Sequence, residues 1–199
     1  MAVVASDSFT RANETPLASP WVNLVIDTVS LRLASNHVDS PNYNRDALAY
    51  YSATWPNDQY AQAKITVSGS AGGGQGAGVA VRIDGTGANY YRAVIDHAAS
   101  NNVEVARVVS SSYTALGQRT TAFTDGDTLR LEVSGTTLTV KLNGSQLGAT
   151  FSDSNISSGS AGIFFSSVET SATWDDFEGG DVGGAATPSH SFMTLLGVT

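Results

Sequence analysis

Residues 128–151 read TLRLEVSGTTLTVKLNGSQLGATF, and their apolar period is two. Leu129, Leu131 and Val133 alternate with Arg130 and Glu132. Past Ser134-Gly135, Leu138, Val140 and Leu142 alternate with Thr139 and Lys141. Successive side chains of an extended chain point to opposite faces, so each run has one apolar and one polar face. Asn143-Gly144 then supplies the two φ > 0 residues that a tight hairpin needs. Three antiparallel strands and two turns follow from this stretch alone.

The same pattern recurs outward in both directions. It is found at 22–26, 29–35, 47–54, 60–68, 78–84, 89–96, 102–109, 161–167 and 172–179. Turn signals separate these runs at Asp84-Gly85, Asn101-Asn102, Asp125-Gly126 and Ser158-Gly159. A helical period is missing, with at most a helical turn near 13–18, so the spacing predicts an antiparallel sandwich or barrel. The glycine-rich stretch SGSAGGGQGAG (68–78) lacks the Lys-[ST] of a phosphate loop and the G-x-G-x-x-G spacing, and reads as a strand connection.

With 199 residues and 41% hydrophobic content, the chain can bury one sizeable core. A net charge of −8, with Lys64 and Lys141 the two lysines and eight scattered arginines, argues against nucleic acid as partner. No apolar run reaches membrane-spanning length, so no membrane insertion is expected. The absence of cysteine excludes disulfides and thiolate sites. The N-terminal MAVVASDSF has no signal-peptide pattern, which predicts synthesis in a cytoplasm.

DSFTRANETPLASPW (7–21), GVAVRIDGTGANYYRAVI (78–95), DGDTLRLEVSGTTLTVKLNG (125–144) and SAGIFFSSVETSATWDDFEG (160–179) occur in an order that resembles concanavalin A-like, laminin G-like jelly rolls. The resemblance implies an all-β, antiparallel two-sheet jelly-roll sandwich over residues 1–180. Its first and last strands would be neighbours, bringing DSF beside DDF with Phe9 and Phe177 pointing inward. Residues 181–199 form a Gly-rich linker and an apolar tail, extended and C-terminal to the sandwich. A glycine-led, uncharged ending of this kind resembles accessory proteins of bacteriophages, including capsid decoration and fibre-like proteins with lectin-type domains. That implies a place on the virion surface after synthesis in the host cytoplasm. Phe192, Met193, Leu195, Leu196 and Val198 would then attach the protein to a capsid or other virion protein, or to sister subunits.

Three chemistries are weighed on this frame. Glycosidases of the fold need a carboxylate pair, usually in an E-x-D-x-x-E run, and none occurs. Glu104 and Glu132 alternate with core residues and read as solvated-face partners of Arg and Lys. No G-x-S-x-G elbow is present, and His37, His97 and His190 are dispersed. The chain is therefore expected not to be an enzyme and to require no cofactor. A structural calcium ion is an option of the fold, with Asp7, Asp175 and Asp176 as oxygen ligands near turns. Glycan binding, for instance to a cell surface, needs aromatic faces and planar polar groups. Tyr43, Asn44, Trp55, Arg82 and Arg92 are its candidates, with SPNYNRD (40–46) the most exposed loop. The leading expectation is a non-enzymatic virion accessory protein displaying a lectin-like surface, and the alternative is a carbohydrate-binding lectin module.

Overall fold

A computed structural model of the chain describes residues 1–42, 45–68, 75–96, 102–166 and 171–183. Among the described residues the regular structure is all strand. The strands are β1 (Val3–Asp7), β2 (Trp21–Leu24), β3 (Arg32–Ala34), β4 (His37–Asp39), β5 (Ala47–Tyr51), β6 (Gln59–Ser68), β7 (Gln75–Ile83) and β8 (Tyr90–Asp96). They continue with β9 (Asn102–Val109), β10 (Ser112–Thr120), β11 (Asp127–Ser134), β12 (Thr137–Leu142), β13 (Ser145–Gln146), β14 (Phe151–Ser152), β15 (Ser160–Phe165) and β16 (Ser171–Asp181). All pairings are antiparallel. One sheet runs β13-β12-β11-β6-β16-β4-β3, with β1 also on β16 and β14 on β12; the other runs β10-β9-β8-β7-β15-β5-β2.

The expected hairpin is present: Leu129 pairs with Leu142 and Val133 with Leu138. Asn143 and Gly144 turn the chain at φ 49° and 80°. The two sheets close on the alternating apolar residues. Leu129, Leu131, Val133, Ala61, Ala63 and Ile65 of one sheet meet Val79, Val81, Ala93, Ile95, Val103, Val105 and Ile163 of the other. Trp174, fully buried, crosses this core and donates its indole N–H to the Gly78 carbonyl at 2.8 Å.

The termini close the sandwich as the resemblance implies, because Asp7 of β1 is paired with Phe177 of β16. Phe9 and Phe177 are buried on either side of Trp21, with ring centroids 5.6 and 4.9 Å from it. Trp174 and Phe177 are an odd number of residues apart, yet both face the core. The register of β16 shifts between Asp175 and Glu178, and Asp176 sits at φ 47°. This bulge inserts the residue that restores the inward direction. A second bulge, at Arg82 (φ 51°), reverses the parity of β7, so Val81 faces the inter-sheet core while Ile83 faces out.

β10 had no counterpart in the sequence reading. Its connection to β9 turns on Ser110 and Ser111 at φ 50° and 60°, a conformation for which Asn-Gly is the usual signal. The glycine-rich connection at 69–74 and the attachment residues Phe192, Met193, Leu195, Leu196 and Val198 lie outside the described residues.

Candidate functional site

The outer face of the seven-stranded sheet is not a solvated polar face. Leu24, Leu48, Ile83, Tyr90, Val94, Val108 and Phe164 form a second apolar cluster there. Alternation therefore divides the tyrosine pair of β8: Tyr91 enters the inter-sheet core and Tyr90 the outer cluster. Beside this cluster lies a cavity of about 620 Å³. It is lined by Asp27 after β2, Asp46 before β5, Thr86 of the β7–β8 turn, Arg92 of β8, and Ser111 and Tyr113 at the start of β10.

Arg92 is the cation among these lining residues, and it is 5% exposed. Its cross-strand neighbours are Ala80 and Ala106, and Gly162 stands beyond Ala80. These small residues leave room for a flat guanidinium. It lies 4.4 Å from the Phe164 ring centroid and 5.1 Å from that of Tyr113, within cation–π range of both. Glu104 approaches it at 3.4 Å and Asp46 at 3.9 Å. The solvated-face reading of Glu104 is thus corrected. Glu104 is 6% exposed, because its strand position points into this covered face rather than to water. Burial, together with a hydrogen bond to Glu104, holds the Tyr113 phenol above its ordinary pKa, so it stays protonated. Burial pushes the neighbouring Tyr90 phenol up to about 12.

The rim is braced from behind. Asp84 accepts hydrogen bonds from the Thr86 N–H and hydroxyl, the Ala88 N–H and the Asn89 amide. Burial raises the Asp84 carboxyl pKa, but these bonds outweigh it and hold it below the usual carboxylate range. Asn89 in turn accepts from the Ser110 N–H, and the Ala88 carbonyl from the Ser111 N–H. One turn therefore holds the strained Ser110-Ser111 pair at the cavity lip, the kind of place where left-handed non-glycine residues tend to collect. Arg45 meets the lining residue Asp27 at 3.0 Å. The exposed large apolar side chains among the described residues are Met1, Val3, Val25 and Tyr113, and the last two stand on this rim.

Of the sequence candidates, Arg92 lines this cavity and Tyr43 and Asn44 lie outside the described residues. Trp55 and Arg82 are not among its lining residues. The Trp55 indole donates to the Tyr51 carbonyl at 2.9 Å, and its ring covers Gly179, where a Cβ would come within 2.6 Å. Arg82 is 3% exposed and donates to the carbonyls of Asn57 and Ile156. Its φ > 0 bulge turns it toward these loops. Both side chains are used in structure. The loop 40–46 does contribute, through Asp46. Asp27, Thr86, Ser111 and Tyr113 escaped the sequence reading. An alternation of Tyr113 with Thr114 and Ala115 was the available signal, hidden by a turn without glycine.

The calcium candidates are each engaged by protein groups. Asp7 accepts from the Phe9 N–H, from Arg11 at 2.7 and 2.9 Å and from the Trp21 indole at 2.7 Å. Asp176 is bound to Lys64 at 2.9 Å, and Asp175 accepts the Asp176 N–H. Among the described residues no group of three or more His, Asp or Glu is placed to hold a metal ion.

The fold is an antiparallel two-sheet jelly-roll sandwich of the concanavalin A-like kind. No family model matches the chain, and no curated protein matches it. Solved structures do. The carbohydrate-binding module CBM66 from Bacillus subtilis aligns with a TM-score of 0.67 at 17% identity, over 81% of this chain and 96% of that one. The exoplasmic/lumenal domain of VIP36, in a form bound to Ca2+ and Man3GlcNAc, aligns with a TM-score of 0.62 at 14% identity, over 85% and 86%. The GH43 protein BlXynB from Bacillus licheniformis aligns with a TM-score of 0.60 at 13% identity, over 87% of this chain but 38% of that one. Binding modules, lectins and glycosidases share this architecture, so the fold by itself does not choose among them.

Proposed function

We propose that this chain is a non-enzymatic carbohydrate-binding domain that holds its ligand in the cavity on the outer face of the seven-stranded sheet. The observation that carries the reading is the Tyr113–Arg92–Asp46 grouping inside a cavity of about 620 Å³. That volume is in the range of small-molecule sites. The half-exposed Tyr113 ring offers a face to the C–H side of a pyranose. Asp27, Asp46, Thr86 and Ser111 offer oxygens to its hydroxyls. The likeness to CBM66 and VIP36 supports the same class of ligand. It favours carbohydrate binding over the virion accessory role, which has no counterpart among the structures named above.

A panel of immobilised glycans followed by calorimetry on the strongest ligand tests the reading. Tyr113→Ala is expected to weaken binding by about tenfold or more, as loss of an aromatic platform does, when compared at equal folded protein. Trp55→Ala, compared at equal folded protein, is expected to keep the wild-type affinity. Equal loss in both variants, or binding indifferent to Tyr113, would remove the cavity from consideration.

A further inference from the structure

We infer that this cavity selects uncharged sugars and rejects uronic and sialic acids, with Asp46 and Asp27 as the discriminating residues. The inference rests on the glycan reading of the same cavity and adds the class of ligand. An acidic sugar is usually held by a guanidinium whose fork is open to a carboxylate. Here the fork is engaged. Arg92 has Glu104 at 3.4 Å and Asp46 at 3.9 Å, with the Phe164 and Tyr113 rings packed against the guanidinium. The Arg92 and Glu104 side chains are 6% and 7% exposed. A ligand carboxylate that took their place would leave a buried acid without its cation, which is strongly unfavourable.

The second cation at the mouth, Arg45, is half exposed and lies 3.0 Å from Asp27, which offsets its charge there. Asp27, Asp46 and Glu104 therefore outnumber Arg45 and Arg92 by one negative charge, in a chain whose net charge is −8. An incoming anion meets this field at Asp27 and Asp46, whose side chains are 38% and 33% exposed. A sugar hydroxyl meets it as an acceptor and gains a charge-assisted hydrogen bond. Thr86 and Ser111 complete a lining that can both donate and accept. The chemistry suits a hydroxyl-rich, uncharged ring lying against Tyr113.

The experiment compares immobilised sugars that differ only at C6: glucose with glucuronate, galactose with galacturonate, and mannose with mannuronate. Binding is read for the full chain and for Asp46→Asn and Asp27→Asn/Asp46→Asn at low and high salt, with thermal melts establishing that each variant is folded. The neutral member of any bound pair is expected to be held at least about tenfold more tightly than its uronate, as like-charge juxtaposition dictates. That gap is expected to narrow several-fold in the double variant and at high salt. Uronates held as tightly as their neutral partners, or a gap unmoved by either aspartate, would overturn the inference while leaving a glycan-binding cavity. A chain that holds neither member of any pair, nor any glycan of a wider neutral panel, overturns the glycan reading and the inference with it.

Discussion

The two outer faces of the sandwich carry the same kinds of residue and use them differently. On the nine-stranded sheet, Lys141 and Arg130 meet Glu132 at 2.8 and 2.7 Å. Arg130 lies 3.5 Å over the Tyr60 ring, and Tyr60 donates to Glu178 at 2.6 Å. This is a ladder of charges laid along a surface. On the seven-stranded sheet, Arg92, Glu104 and Tyr113 form a comparable group of cation, acid and phenol, but apolar side chains and loops surround it and open volume lies beside it. The network on the nine-stranded sheet is only partly solvated, with Arg130 and Glu132 side chains 12% and 14% exposed against 6% and 7% for Arg92 and Glu104. A network taken further out of water costs stability, and a fold retains that cost most readily where specificity is needed.

The sharpest break of this contrast is a matched pair of substitutions. Glu104→Ala deprives the buried Arg92 of its nearer acid, and is expected to destabilise the fold by about 3 kcal/mol. Glu132→Ala removes an acid between Arg130, 12% exposed, and Lys141, 26% exposed, of which Lys141 can reach water, and is expected to cost less, about 1–2 kcal/mol. Urea denaturation of the two variants measures both. Equal costs would mean that the two faces do not differ in the way their burial indicates.

That contrast marks how much could be read from sequence. The alternation at 128–142 and the Asn143-Gly144 turn depend on side-chain period and φ alone, so the hairpin and the sandwich were legible. The approach of DSF to DDF came from the resemblance, in which first and last strands are neighbours, and Phe9 and Phe177 each pack on Trp21. Arg92 was picked from its place in a tyrosine-rich strand. The rest of the site was not legible, for two physical reasons. Period two distinguishes the faces of a strand without saying which face another element will cover, so Glu104 and Glu132 look identical in sequence. The bulges at Arg82 and Asp176 and the serine turn at Ser110-Ser111 break parity without glycine, and each reassigns the side chains that follow. Arg82 thereby joined structural carbonyls rather than the cavity.

A buried acid on neither outer face gives a second test. Asp153 accepts from the Asn155 N–H and side chain, from the Tyr91 hydroxyl and from Arg107, and so ties the 153–156 loop to the seven-stranded sheet. Burial alone would raise its pKa, but these bonds dominate and bring it down to about 2. A carboxyl depressed in the fold stabilises it above its unfolded pKa and loses that contribution as pH falls through the folded value. About 2 kcal/mol should therefore disappear between roughly pH 4 and pH 2. Asp153→Asn is expected to be less stable than the wild type at neutral pH and to show a flatter acid limb. An unchanged limb would place the acid sensitivity in another carboxylate.

The smallest effect is expected on the nine-stranded face, at Lys64 and Asp176. Their 2.9 Å ion pair is exposed, the side chains being 45% and 54% accessible, and the pairing raises the Lys64 pKa through its hydrogen bond to Asp176. Such a pair is held in competition with water, so Lys64→Ala should leave the melting temperature where it was. Asp176 has a separate role, since its φ of 47° makes the bulge that turns both Trp174 and Phe177 inward. Asp176→Asn keeps a residue that tolerates this conformation and should behave like the wild type. Asp176→Val places a β-branched side chain at positive φ and should cost about 1–2 kcal/mol. If the asparagine and valine variants melt together, the charge matters and the backbone does not. If only valine falls, the acid in WDDF is there for the turn it permits, and its pairing with Lys64 carries little of the fold's stability.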